Sequence, residues 1–200
     1  MKNSTKKVYI ISGVQGQLGR TFTHYFKSQG DKVYGFDLNV YNANSELEED
    51  EYVQCDITDM KSVEDAFEKV MSESGSNFVL INNAGVSTPE PFEERTSESF
   101  DHVMAVNTKG TFNCIKSYVK SFDQLQLKKG AIINIASIFG IMSPDFRNYA
   151  DYNFVSPEVY GASKAGVIQM TSYFAVALAA RGIRVNAVSP GGIYNKEKPQ

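Results

Sequence analysis

Tyr160 and Lys164 stand at i and i+4 near the start of a long apolar stretch, a spacing that puts both side chains on one face of a helix. A free phenol has a pKa near 10 and is a poor base at neutral pH. An ammonium about 4 Å away contributes on the order of 4 kcal/mol at an effective dielectric near 20, or about three pKa units, so the phenol would exchange a proton near pH 7. In isolation such a pair is usually a surface feature of little consequence. Here it has company. Ser137 follows an apolar run, Ala131 to Ile135, at the carboxyl end, where open α/β sheets bind their ligands, and Asn82-Asn83-Ala84-Gly85 ends another run in the same way. Ser12 to Gly19 follows the first run and carries Gly13, Gly16 and Gly19. Glycines there let the backbone turn sharply and approach a pyrophosphate held by a helix N-terminus, although the pattern alone also suits a plain strand-to-helix turn. Asp37 closes the second run. A carboxylate at that place accepts from a ribose diol and repels a 2′-phosphate, and no Arg or Lys stands at Leu38-Asn39-Val40-Tyr41 to neutralise one, which favours NAD over NADP. The plainer reading of Asp37 is a turn-forming aspartate.

These residues need a frame. Val8 to Ile11 and Lys32 to Asp37 are short apolar runs, with Leu18, Phe22, Tyr25 and Phe26 at helical spacing between them. The alternation continues through Tyr52 to Cys55, then Val63, Ala66, Phe67 and Val70, then Phe78 to Ile81, a helical stretch from about Ser97, Ala131 to Ile135, a helix to about Arg181, and Ile183 to Val188. Six strands buried on both faces and separated by helices predict right-handed crossovers and a doubly wound parallel sheet, the Rossmann class of α/β fold. The last long helix is expected to start at Ser156-Pro157, with Ser156 as N-cap and proline in the first helical position, and to stop at Gly182. Glu46 to Glu51 reads as a solvated loop. Phe174 to Ala180 is apolar all round, so it needs cover on two sides.

The 200 residues fit one domain, and 42% hydrophobic with 22% charged residues excludes disordered and fibrous classes. A net charge of -3 gives no cationic field for nucleic acid or an anionic membrane. No apolar run is long enough for a signal peptide's core or a membrane helix, so a soluble protein is expected. Cys55 and Cys114 lack metal or disulfide spacing and suit small core positions in a reducing cytoplasm, and no metal site is expected. His24 and His102 fall in helical stretches and read as ordinary helix residues.

Taken in order, the Ser12 to Gly19 turn, Asp37, Cys55-Asp56-Ile57-Thr58, Asn82-Asn83-Ala84-Gly85, Val106-Asn107-Thr108-Lys109-Gly110, Ser137, Tyr160-Gly161-Ala162-Ser163-Lys164 and Arg184 to Gly191 resemble the short-chain dehydrogenase/reductase family over essentially the whole chain. The resemblance implies an NAD-dependent oxidoreductase that moves a hydride between nicotinamide and a secondary alcohol or carbonyl. It makes Tyr160 the general acid/base and gives Lys164 the tasks of lowering its pKa and binding the nicotinamide ribose. Ser137 would orient the substrate oxygen, and Asn107 would hold a water linking Lys164 to solvent. Asp56 and Ile57 would flank the adenine, Asn83, Ala84 and Gly85 would line the cofactor channel, and Pro190 and Gly191 would contact the nicotinamide. The implied cofactor set also takes in Gly13, Gln15, Gly16, Gln17, Leu18 and Gly19 of the turn, Asp37, and Ile193 after the last strand.

Three features depart from the usual pattern. The glycine spacing is nearer to the family's extended branch, which leaves a nucleotide-sugar epimerase or dehydratase as an alternative. The stretch between Ser137 and Tyr160 is long and carries Asp145, Arg147, Asn148, Tyr149, Asp151, Tyr152 and Asn153. Such a loop suits a small polar substrate, of carbohydrate type, and resembles oxidoreductases of bacterial surface-sugar and flagellin modification. Third, the chain stops at Gln200, short of the family's final helix, seventh strand and most of its substrate lid. Residues 1–200 are thus expected to form a single dinucleotide-binding and catalytic domain with the sixth strand at an edge and low turnover, and a non-catalytic dinucleotide-binding module is the rival reading. A homodimer or homotetramer through Asn107 to Leu125 and Pro157 to Arg181 is expected.

Overall fold

Successive side chains of a strand point to opposite faces, and the first strand shows what that requires here. In the computed structural model, which describes residues 6–42, 47–73, 77–88, 90–149 and 156–194, β1 (Val8–Ser12) is buried throughout. Val8 and Ile10 join one apolar cluster, Tyr9 and Ile11 another. A strand with two apolar faces needs helices on both. The first cluster is completed by Phe67 and Val70 of α2 (Met60–Glu73) and by Ile115 and Tyr118 of α4 (Thr111–Gln124). Leu18, Phe22 and Phe26 of α1 (Gln17–Ser28) pack on the second, and the Phe26 ring stacks on Tyr9 at 3.7 Å.

The remaining strands are β2 (Lys32–Asp37), β3 (Tyr52–Gln54), β4 (Phe78–Asn82), β5 (Gly130–Ile135) and β6 (Ile183–Val188), all parallel in the order β3-β2-β1-β4-β5-β6. The order reverses between β1 and β4, so their carboxyl ends open a crevice. The six expected strands are all present, but β6, an edge of the described sheet, is not buried on both faces: Ile183 and Val185 point into the core while Arg184 and Asn186 are exposed. Among the described residues no helix is long and apolar enough to cross a membrane.

Three local expectations change. The acidic run is not simply solvated: Leu47 is 2% exposed and joins the second cluster, while Glu49–Glu51 form a 3-10 turn in which Glu51 pairs with Lys27 at 2.7 Å. Glu46 lies outside the described residues. The last long helix, α5, runs Glu158–Ala177, and Pro157, with an extended backbone, is its N-cap in place of Ser156. A 3-10 turn, Ala179–Arg181, then leads to Gly182, whose φ of 80° reverses the chain. The stretch from Ser97 is also not one regular helix. It is α3 (Ser97–Met104), a π-helical segment Ala105–Gly110, then α4. Insertions of this kind recur at functional sites, and this one holds Asn107.

Candidate active site

The crevice is a cleft of about 830 Å³. Its floor begins at Gly13, whose φ of 68° turns the chain out of β1 and whose N–H donates to the Phe36 carbonyl at 2.7 Å. A Cβ on Gly13 would lie 2.8 Å from Ala84 Cα, so the glycine turn and the segment after β4 touch backbone to backbone. Two side chains rivet them together. Ser12 Oγ accepts from the N–H groups of Asn83 and Ala84 at 3.1 Å each, and the Asn83 carboxamide donates to the carbonyls of Ser12 and Gly13 at 3.0 Å. Gly16 caps α1 without a side-chain hydrogen bond, and no acidic residue occupies the first turn. The amides of that turn therefore suit an anion. Asp37 stands at the same wall, its Oδ2 accepting from the Gln15 N–H at 3.0 Å. Glycine cradle, uncapped helix start and carboxylate together fit the pyrophosphate and ribose of a dinucleotide.

On the other side of the crevice, α5 brings Tyr160 and Lys164 to the cleft on one face, as their spacing predicts. Lys164 is buried, donates from Nζ to the Ile135 carbonyl at 2.8 Å, and lies 5.7 Å from the centre of the Tyr160 ring. Burial pushes its pKa down to about 8. The expected ammonium is therefore itself close to losing its proton. Ser137 follows β5, nearly buried, and its Oγ accepts from the Phe139 N–H at 3.2 Å, which leaves the hydroxyl proton for an oxygen in the cleft.

Asn107 stands behind the wall. Its Oδ1 accepts from the Val86 N–H at 2.8 Å, and its Nδ2 donates to the Val86 carbonyl and to Ser163 Oγ at 2.9 Å each. Ser163 in turn donates to the Tyr160 carbonyl at 2.8 Å. One carboxamide thus ties together the segment after β4, the π-helical segment and the start of α5. The main-chain carbonyl of Asn107 accepts from Thr111 Oγ1 at 2.8 Å. Gly85 leaves room for this arrangement, since a Cβ there would lie 3.2 Å from Lys164 Nζ and 3.3 Å from Asn107 Oδ1.

Gly13, Gly16, Gln17, Leu18, Asp37, Asp56, Ile57, Asn83, Ala84, Gly85, Ser137, Tyr160, Lys164, Pro190, Gly191 and Ile193 all line the cleft. Gln15 and Gly19 do not. The Gln15 carboxamide turns back to Val40 O and Tyr52 Oη, and Gly19 packs against the carbonyl of Gly13. The polar loop after Ser137 carries a charge pair and apolar groups together. Asp145 and Arg147 pair with each other at 2.7 Å on the surface, while Ile141, Met142 and Phe146 are exposed. Asp151, Tyr152 and Asn153 lie outside the described residues.

Sequence reasoning missed three contributors. Ser12 was part of a motif but not a rivet, Tyr52 was only a strand residue, and His102 lines the cleft one helical turn before Val106. The i, i+4 spacing of His102 and Val106 was a legible signal; nothing local marks the other two.

The family model for short chain dehydrogenases matches residues 7–197. A 3-oxoacyl-[acyl-carrier-protein] reductase from Thermotoga maritima is 36% identical over 196 residues, covering 94% of this chain and 74% of the relative. A short chain dehydrogenase from Leptospira borgpetersenii solved with bound NAD+ superposes with a TM-score of 0.83 at 34% identity, over 96% of this chain and 73% of that one. An NAD+-bound xylitol dehydrogenase superposes at 0.78 with 27% identity, over 95% and 72%. With its crevice, its glycine turn and its Tyr160–Lys164 helix in that family's order, the chain belongs to the short-chain dehydrogenases.

Proposed function

We propose that this oxidoreductase uses NAD and interconverts a secondary alcohol and its carbonyl. The observation that carries the reading is the convergence of Tyr160, Lys164 and Ser137 on the cleft that Gly13, Gly16 and Asp37 open from the other side. The glycine turn and the first turn of α1 would hold the pyrophosphate, Asp37 the adenosine ribose, Asp56 and Ile57 the adenine, and Lys164 the nicotinamide ribose. NAD supplies the hydride acceptor or donor. Ser137 donates its hydroxyl proton to the substrate oxygen and orients it. Tyr160 takes the proton from that oxygen in oxidation and returns it in reduction, and Asn107 keeps Tyr160 and Lys164 in register through Ser163.

A small polar substrate of carbohydrate type is supported by Ser87 and Ser156 on the lining and by the polar sequence after Ser137. The exposed Ile141, Met142 and Phe146 support a second reading, an acyl chain. Phe112, Tyr173 and Val176 are exposed on α4 and α5, Val176 to 82%, and supply the apolar face for a homodimer or homotetramer. The test is a panel of polyols, aldoses and 3-oxoacyl thioesters, followed by NADH absorbance and product analysis. Net NADH change with a matching alcohol or ketone is expected; a rearranged nucleotide sugar with no net NADH would instead identify an epimerase, and binding without any turnover a non-catalytic module.

A further inference from the structure

Behind Asp37, four residues close a ring of hydrogen bonds. The Gln15 N–H donates to Asp37 Oδ2 at 3.0 Å, and Asn39 donates to Asp37 Oδ1 from its main-chain N–H at 3.2 Å and from its carboxamide at 3.1 Å. Tyr52 Oη donates to the Asn39 carbonyl, and the Gln15 carboxamide donates back to Tyr52 Oη at 2.8 Å. That carboxamide also reaches the Val40 carbonyl at 2.9 Å. Tyr52 is 5% exposed, its ring meets Tyr41 edge-on at 5.6 Å, and burial, with the nearby Asp37 charge, raises its pKa, so the hydroxyl keeps the proton it donates.

The ring has a consequence for what the carboxylate tolerates. Three of its roughly four acceptor positions are taken by donors among the described residues. Turning the carboxylate away from a second negative charge would break bonds on both sides of the ring. We propose that Tyr52 is a positioning residue for cofactor selectivity: its hydroxyl braces the glycine turn against the segment after β2 and holds the Asp37 carboxylate at the cleft wall, where it excludes a 2′-phosphorylated dinucleotide. The proposal rests on the NAD reading above and adds the means by which the preference is enforced.

Calorimetric titration of NAD+ and NADP+ against the whole chain, Tyr52→Phe and Asn39→Ala tests it. Tyr52→Phe keeps the buried ring and cuts two hydrogen bonds, so the ratio of the NADP+ to the NAD+ dissociation constant is expected to fall about tenfold. Asn39→Ala, at an exposed position, removes one of the three donors to Asp37 and is expected to lower the ratio about threefold. General loosening of the cleft would weaken both cofactors in step and leave the ratio where it was. A ratio within about twofold of the unmodified chain in Tyr52→Phe overturns the proposal, and if that variant fails to fold, Gln15→Ala, which removes the carboxamide donor to Tyr52 Oη and keeps the main-chain donor to Asp37, decides in its place by the same ratio. An unmodified chain that binds NADP+ as tightly as NAD+ overturns the cofactor reading and this proposal with it; a preference unchanged by Tyr52→Phe overturns this proposal only.

Discussion

The two flanks of the cleft are built to different standards of polar satisfaction. On the glycine flank Ser12 Oγ takes two amides, the Asn83 carboxamide serves two carbonyls, and Asp37 sits in a closed ring. On the α5 flank Lys164 Nζ is buried with one hydrogen-bond acceptor among the described residues, the Ile135 carbonyl. A binding surface gains from being preorganised, because its dipoles need not rearrange when an anion arrives. A group that must exchange or steer protons near neutral pH gains from being left poorly solvated, because that is what moves its pKa. The first flank is closed by hydrogen bonds, and the second keeps a poorly solvated amine at its centre.

The largest effect that would expose this division belongs to the α5 flank. Tyr160→Phe keeps the ring and removes the proton donor, so turnover should fall about a hundred- to ten-thousandfold while NAD titration is nearly unchanged. Most of the activity surviving would remove Tyr160 from the mechanism.

Lys164 should betray its burial in the pH dependence of stability. Its folded pKa of about 8 lies below the ordinary lysine value of 10.5, so between those pH values the unfolded chain binds the extra proton. The cost of folding around the charge is therefore fully present below pH 8 and is relieved as pH rises toward 10.5. The gain approaches about 3 kcal/mol at its limit. The buried Cys55, Cys114 and Tyr118, whose pKa values burial raises, lose stability over the same range in both chains, so the rise is read as a difference: from pH about 7 to about 10 in urea unfolding the unmodified chain should gain on Lys164→Met by this amount, and parallel curves would mean that Lys164 is well solvated.

The glycine flank should respond in stability first. Gly13→Ala forces a Cβ onto a residue with φ of 68° and within 2.8 Å of Ala84 Cα, at a cost of about 1–3 kcal/mol, readable in the unfolding midpoint. An unshifted midpoint would show that the backbone contact yields freely. Smallest is the bond from Gln17 Nε2 to the Tyr194 carbonyl, 2.7 Å, which joins the glycine turn to the segment after β6 at the surface. Gln17→Ala should raise the NAD dissociation rate about two- to threefold in stopped-flow displacement, since an exposed hydrogen bond contributes about 0.5 kcal/mol. A rate unchanged from the parent would leave that bond no part in cofactor residence.

Much of the frame was legible before any coordinates. Lys32–Asp37 is a largely apolar run and Ile183–Val188 alternates apolar with polar residues, each closed by a polar or glycine-rich segment, and the strands occupy those bounds. The cleft residues were legible because a parallel sheet has one end at which ligands bind, and Asp37, Asn83 and Ser137 all follow strands at that end. Less legible were features that depend on what faces a residue. The acidic character around Leu47 hid an apolar side chain that reaches Gly35 and Val14, and the helical period through Asn107 gave no sign of the π-helical segment. Loop charge after Ser137 gave no sign that Asp145 and Arg147 pair with each other.

Periodicity of apolar residues and the placement of Gly, Asp and Asn after them are local properties, so the amino-acid sequence by itself determined the alternating elements, the glycine turn and the shared face of Tyr160 and Lys164. Whether Lys164 titrates near 8, whether Asn107 grips Val86 and Ser163, and whether Tyr52 closes a ring behind Asp37 depended on groups far apart in the chain. Desolvation and hydrogen bonding act through distances of a few ångströms in space. Only the packed sheet brings those groups within reach, and there the tertiary structure decided the chemistry.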